Sequence, residues 1–371
     1  MNNNRVLFIL HLPPPIHGAA MIGKYIHDSQ IINKELNCRF INLATAKDLS
    51  DIGKIRIKKL VQFYKLLRHI QKEVKLFKPQ LVYVTPNSKG SAFYKDFIVI
   101  QMLKLMGCKI IAHYHNKGVS QRQNNIIDNL LYHIFFKNLK VILLAQTLYE
   151  DIQKYVLPEN IFICPNGIPE SQDSGPVNRN NAETKLLFLS NLLIEKGVFT
   201  LLDACKILKD KGYSFICDFV GGETAEINAT QFVTETQKRG INNIVFYRGK
   251  KYGIDKDRML KNANIFILPT YNECFPLVLL EAMQQKLPCI STYEGGITDI
   301  IIQNETGYIV QKKSAQELAE KIEILLKNPI KQIEMGNKGF ERYQKFFTLK
   351  SFEMRLTSIL KTAINDTADK I

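Results

Sequence analysis

The chain has 371 residues, 46% hydrophobic and 23% charged, with a formal net charge of +15. That length allows two domains, and that composition excludes a disordered chain. No run of 18 uncharged apolar residues occurs, so no membrane-spanning helix is expected.

The charge is uneven. Residues 1–175 carry 23 Lys+Arg against 12 Asp+Glu, and the remainder carries 27 against 23. A basic first half calls for an acidic partner, whether nucleic acid, anionic lipid or a phosphorylated substrate, and charge alone does not choose among them. The seven cysteines are scattered, odd in number and without a C-x-x-C pair. They read as reduced, mostly buried thiols of a cytosolic protein, not as a zinc site or a disulfide frame.

The opening apolar run is too short for a signal peptide and no small-residue cleavage site follows it, so residues 5–12 read as a first buried strand. "LPPPIHGAAM", 12–21, is a strand-to-helix turn. Gly18 lets backbone approach a ligand there, and Ala19 and Ala20 keep the helix start open, although a plain tight turn has the same pattern. "CRFINL" precedes a helix over 55–78 that holds eight Lys+Arg, one Glu and an apolar series Ile57, Leu60, Val61, Tyr64, Leu67, Ile70, Val74 and Phe77. This is a crossover helix packed on the sheet, with a solvated basic face. The same face suits anionic lipid, which attracts each basic residue by about 1 kcal/mol. "PQLVYVT", a helix near 91–106, "CKIIAHYH", "VILLAQ" and "IFICPNGI" continue the alternation.

The polar, aperiodic segment 171–184 reads as an interdomain linker. Beyond it the alternation restarts: "KLLFLSNL", a helix from Val198, "SFICDFVGG", a helix near 226–239, "NIVFYRG", a short helix near 255–262, "ANIFILPT", a helix over the 270s and 280s, "PCIST" and "GYIV". Short apolar runs separated by helices imply parallel sheets covered on both faces. The expected class is α/β, with two Rossmann-like domains at 1–175 and 182–347 facing across a cleft. That cleft is the default ligand site.

"NECFPLVLLEAMQQKLPCI", 272–290, places Glu273 just before an apolar helix and Glu281 inside it. Proline fits the first helical turn, so the helix is expected to start near Phe275–Pro276. Glu273 then lies in the loop, beside free amides of Phe275, Leu277 and Val278 and the positive end of the helix dipole. Glu281, on a core-facing helix, needs a partner, because burying it unpaired is costly. Vicinal ribose hydroxyls are suitable partners. The alternative is that Glu273 caps the helix and Glu281 is its exposed edge.

This stretch resembles the E-x7-E signature of retaining glycosyltransferases of the family 4 class, which have the GT-B fold. "LPCISTYEGGITDIIIQNETGYIV" is similar to that family's continuation, with Asp299 in place of a usual Glu. The resemblance implies that Glu273 contacts the transferred sugar and Glu281 the nucleotide ribose, with Phe275, Pro276 and Leu277 at the donor between them. It also implies a C-terminal helix, about 350–371, packed back on the first domain. "FLSNLLIEKGV" resembles the family's G-R-L…E-K-G, whose cations clamp the donor diphosphate. Lys196 matches, whereas Asn191 stands at the Arg position and Ser190 at the Gly position. Asn191 offers only a neutral hydrogen bond, and Arg248 is the candidate to compensate. In "IAHYHNKG", His115 matches the family's histidine near the reacting sugar, and His113 is its structural neighbour. The family's glycine-rich loop corresponds to the turn at Gly18.

Asp255 and Asp257 form a D-x-D among lysines and an arginine, which reads as a helix N-cap, and no metal is expected. A zinc site from His113 and His115 lacks a third ligand nearby. The reading is a hexosyltransferase without cofactor. Its co-substrate is a nucleotide-diphosphate sugar, UDP favoured over GDP, and its acceptor a saccharide or polyprenyl-linked saccharide of bacterial surface polysaccharide synthesis. It is expected in the cytoplasm, peripheral on the inner face of the membrane, with no nucleic-acid partner. The alternatives are a nucleotide-sugar 2-epimerase or phosphorylase on the same fold, or a basic nucleic-acid-binding protein, for which no motif is present.

Overall fold

Apolar runs of three to six residues, β-branched and aromatic, form the twelve strands found among the described residues. The computed structural model describes residues 4–14, 18–43, 57–171 and 183–366, with 57–59 as backbone only. Part of the turn before Gly18, most of the expected linker and the side chains of Lys58 and Lys59 lie outside them. The chain divides into two compact units, Met1–Asn166 with Leu349–Ile371, and Gly167–Thr348.

In the first unit β1 (Arg5–Leu10), β2 (Asn37–Asn42), β3 (Leu81–Val84), β4 (Ile110–His113), β5 (Lys140–Leu143) and β6 (Ile161–Ile163) form one parallel sheet in the order β2-β1-β3-β4-β5-β6. Its helices are α1 (Gly18–Asp28), α2 (Gln30–Glu35), α3 (Ile57–Phe77), α4 (Gly90–Leu105) and α5 (Ile126–Phe136). Every residue of β3, β4 and β5 is buried, as a sheet covered on both faces requires. The glycine that α1 needs for packing is Gly23, where a Cβ would lie 2.0 Å from the His11 carbonyl oxygen. Around Gly18 nothing lies within 4 Å of such an atom.

The apolar series of α3 is only partly inward. Ile70, Val74 and Phe77 are buried, but Leu60, Val61 and Tyr64 are exposed, Tyr64 by 62%. The inward stripe keeps half-buried Leu67 of that series and adds half-buried Phe63 and Leu66. An apolar segment of little more than one turn therefore stands in solvent beside exposed Lys65, Arg68, Lys72 and Lys75.

In the second unit β7 (Thr184–Leu189), β8 (Phe215–Val220), β9 (Val245–Tyr247), β10 (Ile265–Leu268), β11 (Cys289–Thr292) and β12 (Gly307–Val310) form a parallel sheet in the order β12-β11-β10-β7-β8-β9. Its helices are α6 (Val198–Asp210), α7 (Ala229–Lys238), α8 (Gly253–Asn262), α9 (Leu277–Gln284), α10 (Ile297–Ile300), α11 (Ala315–Leu326) and α12 (Pro329–Phe346). With all six strands parallel, the loops that follow them emerge at one edge, where ligands of such sheets bind. The units part at Asn166, ahead of the polar segment, because Ile168 bridges Thr348 and its amide donates to the Phe347 carbonyl at 3.0 Å.

The chain then returns through α13 (Leu349–Asn365) to the first unit. Phe352, Leu356 and Leu360 bury one face of α13, Lys361 pairs with Glu35 at 2.6 Å, and Lys140 pairs with Asp366. Among the described residues no helix is long and apolar enough to cross a membrane, and no disulfide forms. Burial pushes the Cys38 and Cys164 thiols up to about 12.

One glycine joins two of the edge loops. Gly197 has φ +79°, and a Cβ on it would lie 2.0 Å from the Pro269 carbonyl oxygen. Gly197→Ala should cost more than about 1 kcal/mol, from left-handed strain and displacement of the Pro269 backbone. Gly18→Ala should leave the unfolding midpoint unchanged. Denaturant melts of the two variants against wild type check both statements.

Candidate active site

Four loops at the edge of the second sheet place the charged side chains. The turn after β7 enters α6 through Gly197, and the turn after β10 receives it. Glu195 holds the two together: its carbonyl accepts the Tyr271 amide at 2.6 Å and the Thr270 hydroxyl at 3.1 Å, and its carboxylate accepts Asn272 Nδ2 at 3.0 Å. Lys196 is thereby delivered to Glu273, with Nζ 2.7 Å from Oε1 and 2.9 Å from the Asn272 carbonyl. Both side chains are mostly buried, so this is a desolvated pair, stronger than a surface bridge.

Behind Glu273 stands a second carboxylate. Glu294, after β11, is buried, accepts the Glu273 amide at 3.3 Å and pairs with Lys312, which follows β12. Gly295, at φ +52°, lets this loop approach so closely that a Cβ would lie 2.3 Å from the Glu273 carbonyl oxygen. The Gly296 amide donates to the Cys274 carbonyl at 2.7 Å. Glu273 is thus fixed from both sides of β10.

The helix after this turn begins at Leu277, with Pro276 as its cap residue. Phe275 is buried edge-on against Phe347 at 6.1 Å. The amides of Phe275, Leu277 and Val278 find no acceptor among the described residues, and the first turn of a helix offers none. They remain available to an anion, with the helix dipole in the same sense.

Glu281 lies one turn further along α9. Its Oε1 is 2.6 Å from Lys256 Nζ. About a fifth of the side chain is accessible, yet Oε2 is sealed and has no hydrogen-bond partner among the described residues. Desolvation raises the Glu281 pKa, Lys256 opposes that, and Asp257 adds to it. A buried acceptor without a donor is costly.

The D-x-D expectation needs correction. The cap residue of α8 is Tyr252, without a side-chain cap bond, and Asp255 sits in the first turn, 3.4 Å from Arg258. Asp257 accepts from Ser171 at 3.0 Å. The residue of consequence is Lys256 between them. Its one sequence signal was a lysine flanked by two acids on a short helix.

Arg248 does not join this group. Its guanidinium donates to Asp218 at 2.6 Å and lies 4.7 Å over the Phe246 ring, in a 210 Å³ hollow lined by Lys185, Met259 and Asn262. Asn191 is at the edge, but its Oδ1 is committed to the Gly222 amide at 3.0 Å. In the first unit, His113 is fully buried against Tyr83, with Oη to Nδ1 at 2.7 Å, and burial holds its pKa well below the usual range. The His115 ring lies tilted against it, with centroids 4.2 Å apart. The loop beyond His115 is fixed by Asp151, which accepts the amides of Gly118, Val119 and Ser120 at 2.8–3.1 Å.

Residues 170–342 match the family "Glycosyl transferases group 1". The chain is 28% identical over 185 residues to the capsular polysaccharide biosynthesis glycosyltransferase CapM of Staphylococcus aureus, covering 49% of this chain and 47% of CapM. It is 24% identical over 225 residues to the putative colanic acid biosynthesis glycosyltransferase WcaL of Escherichia coli K12, covering 58% and 54%. The chain spans about half the length of the curated relatives it matches. The solved structure of Anabaena Alr3699/HepE in complex with UDP covers 97% of this chain and 100% of its own, with TM-score 0.75 at 13% identity. That likeness is one of fold, the two-domain α/β fold of GT-B glycosyltransferases.

The segment that matches this family holds Glu195, Lys196, Glu273, Glu281, Glu294, Lys256 and Lys312 within its edge loops and adjoining helices. Its Glu281 yields a pH prediction. Folding raises this pKa above 4.5, so the protonated form favours the folded state, and that contribution is lost as pH rises from about 4.5 through the higher folded value. Lys256→Met removes the opposing cation. At neutral pH it should be about 1–3 kcal/mol less stable than Lys256→Met/Glu281→Gln, and the two should converge at pH 4. Urea melts at pH 4, 5.5 and 7.5 measure the difference.

Proposed function

We propose that this protein is a retaining glycosyltransferase. In this reading it moves a hexose from a nucleotide-diphosphate sugar, UDP favoured, to a saccharide or polyprenyl-linked saccharide in bacterial surface polysaccharide or lipopolysaccharide synthesis. The observation that carries this reading is the Lys196–Glu273 pair set beside the acceptor-free amides at the start of α9. It is supported by the family match, by relatives named for capsular polysaccharide and colanic acid biosynthesis, and by the likeness to a fold solved with UDP and with UDP-glucose.

The donor diphosphate lies on the amides of Phe275, Leu277 and Val278, and the ribose hydroxyls donate to the accessible part of the Glu281 carboxylate. Glu273 accepts from a hydroxyl of the sugar and turns the Lys196 ammonium toward the phosphate. When the bond from the anomeric carbon to the phosphate oxygen breaks, negative charge grows on that oxygen. Lys196 and the amides neutralise it without reorganising, and such preorganised charge is strongest where water is excluded. The acceptor hydroxyl attacks from the face the phosphate leaves. Its proton passes to the departing phosphate oxygen, so configuration is retained and no further base is needed. In this reading His115 contacts the transferred sugar and Gly18 the donor.

The protein acts at the cytoplasmic face of the membrane in this reading. Its anchor is the exposed segment of α3, with Leu60, Val61 and Tyr64 beside Lys65, Arg68, Lys72 and Lys75.

Lys196→Ala should lower kcat about 100- to 1,000-fold with any accepted donor. Glu281→Gln should raise the Kd of the nucleoside diphosphate about tenfold or more while the fold survives. Near-normal kcat/KM in Lys196→Ala, measured with UDP-, GDP-, ADP- and TDP-sugars, places the phosphate elsewhere.

Binding to vesicles with anionic lipid should exceed binding to neutral vesicles. It should weaken with salt, because exposed charges are screened over about 8 Å at physiological ionic strength, and fall when Lys65, Arg68 and Lys72 become Gln. Equal co-sedimentation with neutral and anionic vesicles rejects the membrane role.

A further inference from the structure

Most cations at the edge of the second sheet are already paired. Lys196 holds Glu273, Lys256 holds Glu281, Lys312 holds Glu294 and Arg248 holds Asp218. Lys250, in the loop after β9, has no carboxylate partner among the described residues. Its ammonium rests 5.0 Å over the Tyr252 ring, a weak seat for an exposed cation.

The stem of Lys250 leads toward Asn191. A Cβ built on Gly222 would lie 3.7 Å from Lys250 Cδ and 3.7 Å from Asn191 Cγ, so the two side chains flank the same glycine. Gly222 presents no side chain between them, and its amide holds Asn191 Oδ1 at 3.0 Å. That bond occupies Oδ1 and leaves Nδ2, which donates to nothing among the described residues. β8 lies between β7 and β9 in the sheet, and neighbouring strands are about 4.8 Å apart. A lysine after β9 therefore reaches the loop after β7 with its stem extended over Gly222.

We infer that Lys250 supplies, with Asn191 Nδ2, a second phosphate contact for the nucleotide donor, complementing Lys196. This inference rests on the proposed nucleotide-sugar reading. Asn191 contributes a neutral donor and fixes the loop, and Lys250 contributes the charge that Asn191 lacks. Lys250 leaves the Tyr252 ring on binding, which costs little against a charge-assisted phosphate contact. It is a binding residue and takes no part in proton transfer.

The test uses the full chain and the tightest binder among UDP, GDP, ADP and TDP, by calorimetry, with the matching nucleoside by ligand-observed NMR. Lys250→Gln should weaken the diphosphate about tenfold and leave the nucleoside unchanged. Lys251→Gln, a neighbouring exposed lysine, should shift it by less than about twofold. Asn191→Arg should restore the Lys250→Gln variant to within about twofold of wild type, because the two cations occupy one role. Unchanged diphosphate binding in Lys250→Gln, an equal loss for the nucleoside, or no rescue by Asn191→Arg overturns the inference while leaving the donor reading intact. If wild type binds none of the four diphosphates, the donor reading itself fails, and this inference with it.

Discussion

The contact between the Gly197 α-carbon and the Pro269 carbonyl sets the geometry of the second unit's edge. Only a residue without a Cβ, free to adopt φ +79°, permits it. Once the two turns touch, the Glu195 carbonyl meets the Tyr271 amide and the Thr270 hydroxyl, and Lys196 has one short path, onto Glu273. On the other side of β10, Gly295 lets the loop after β11 approach in the same manner, and buried Glu294 takes the Glu273 amide. The glutamate is held by side chains of the two neighbouring loops, Lys196 and Glu294, which the glycines bring into reach.

Desolvation explains why these charges come in pairs. A carboxylate taken from water loses its hydration, and a cation within hydrogen-bond reach offsets part of that loss. Glu294 is compensated by Lys312, and Glu273 by Lys196. Glu281 is compensated at one oxygen only, and burial still raises its pKa. Among the described residues the same imbalance recurs at Asp96 of the first unit, where burial raises the pKa and Oδ1 lacks a hydrogen bond. The first unit shows the opposite case in Asp151, whose two oxygens are filled by amides of the 118–120 loop and the Ser120 hydroxyl, and which serves only to shape that loop.

The paired state also describes how the lysine is stored. An ammonium held on Glu273 and the Asn272 carbonyl is ordered before any ligand arrives, so little conformational entropy remains to be lost when an anion approaches. The acceptor-free amides of the α9 turn are ordered in the same way by the helix that follows them.

The sequence by itself determined the α/β class, because buried parallel strands read as unbroken apolar runs whatever their partners. It also singled out Glu273 and Glu281, because one carboxylate just before an apolar helix and another inside it is a local pattern, while Lys196 was picked out only by resemblance to a family motif. It did not mark Lys256, Glu294 or Lys312. It misplaced Arg248 and read the aspartates of α8 as its cap, and it turned Leu60, Val61 and Tyr64 of α3 inward. Those outcomes depend on which side chains meet across 25 residues for Lys256 and Glu281, 30 for Arg248 and Asp218, and 21 for Glu294 and Glu273. Only the tertiary structure decided them, because an ion pair is chosen by distance and desolvation in space, and neither is encoded in the spacing of residues along one element.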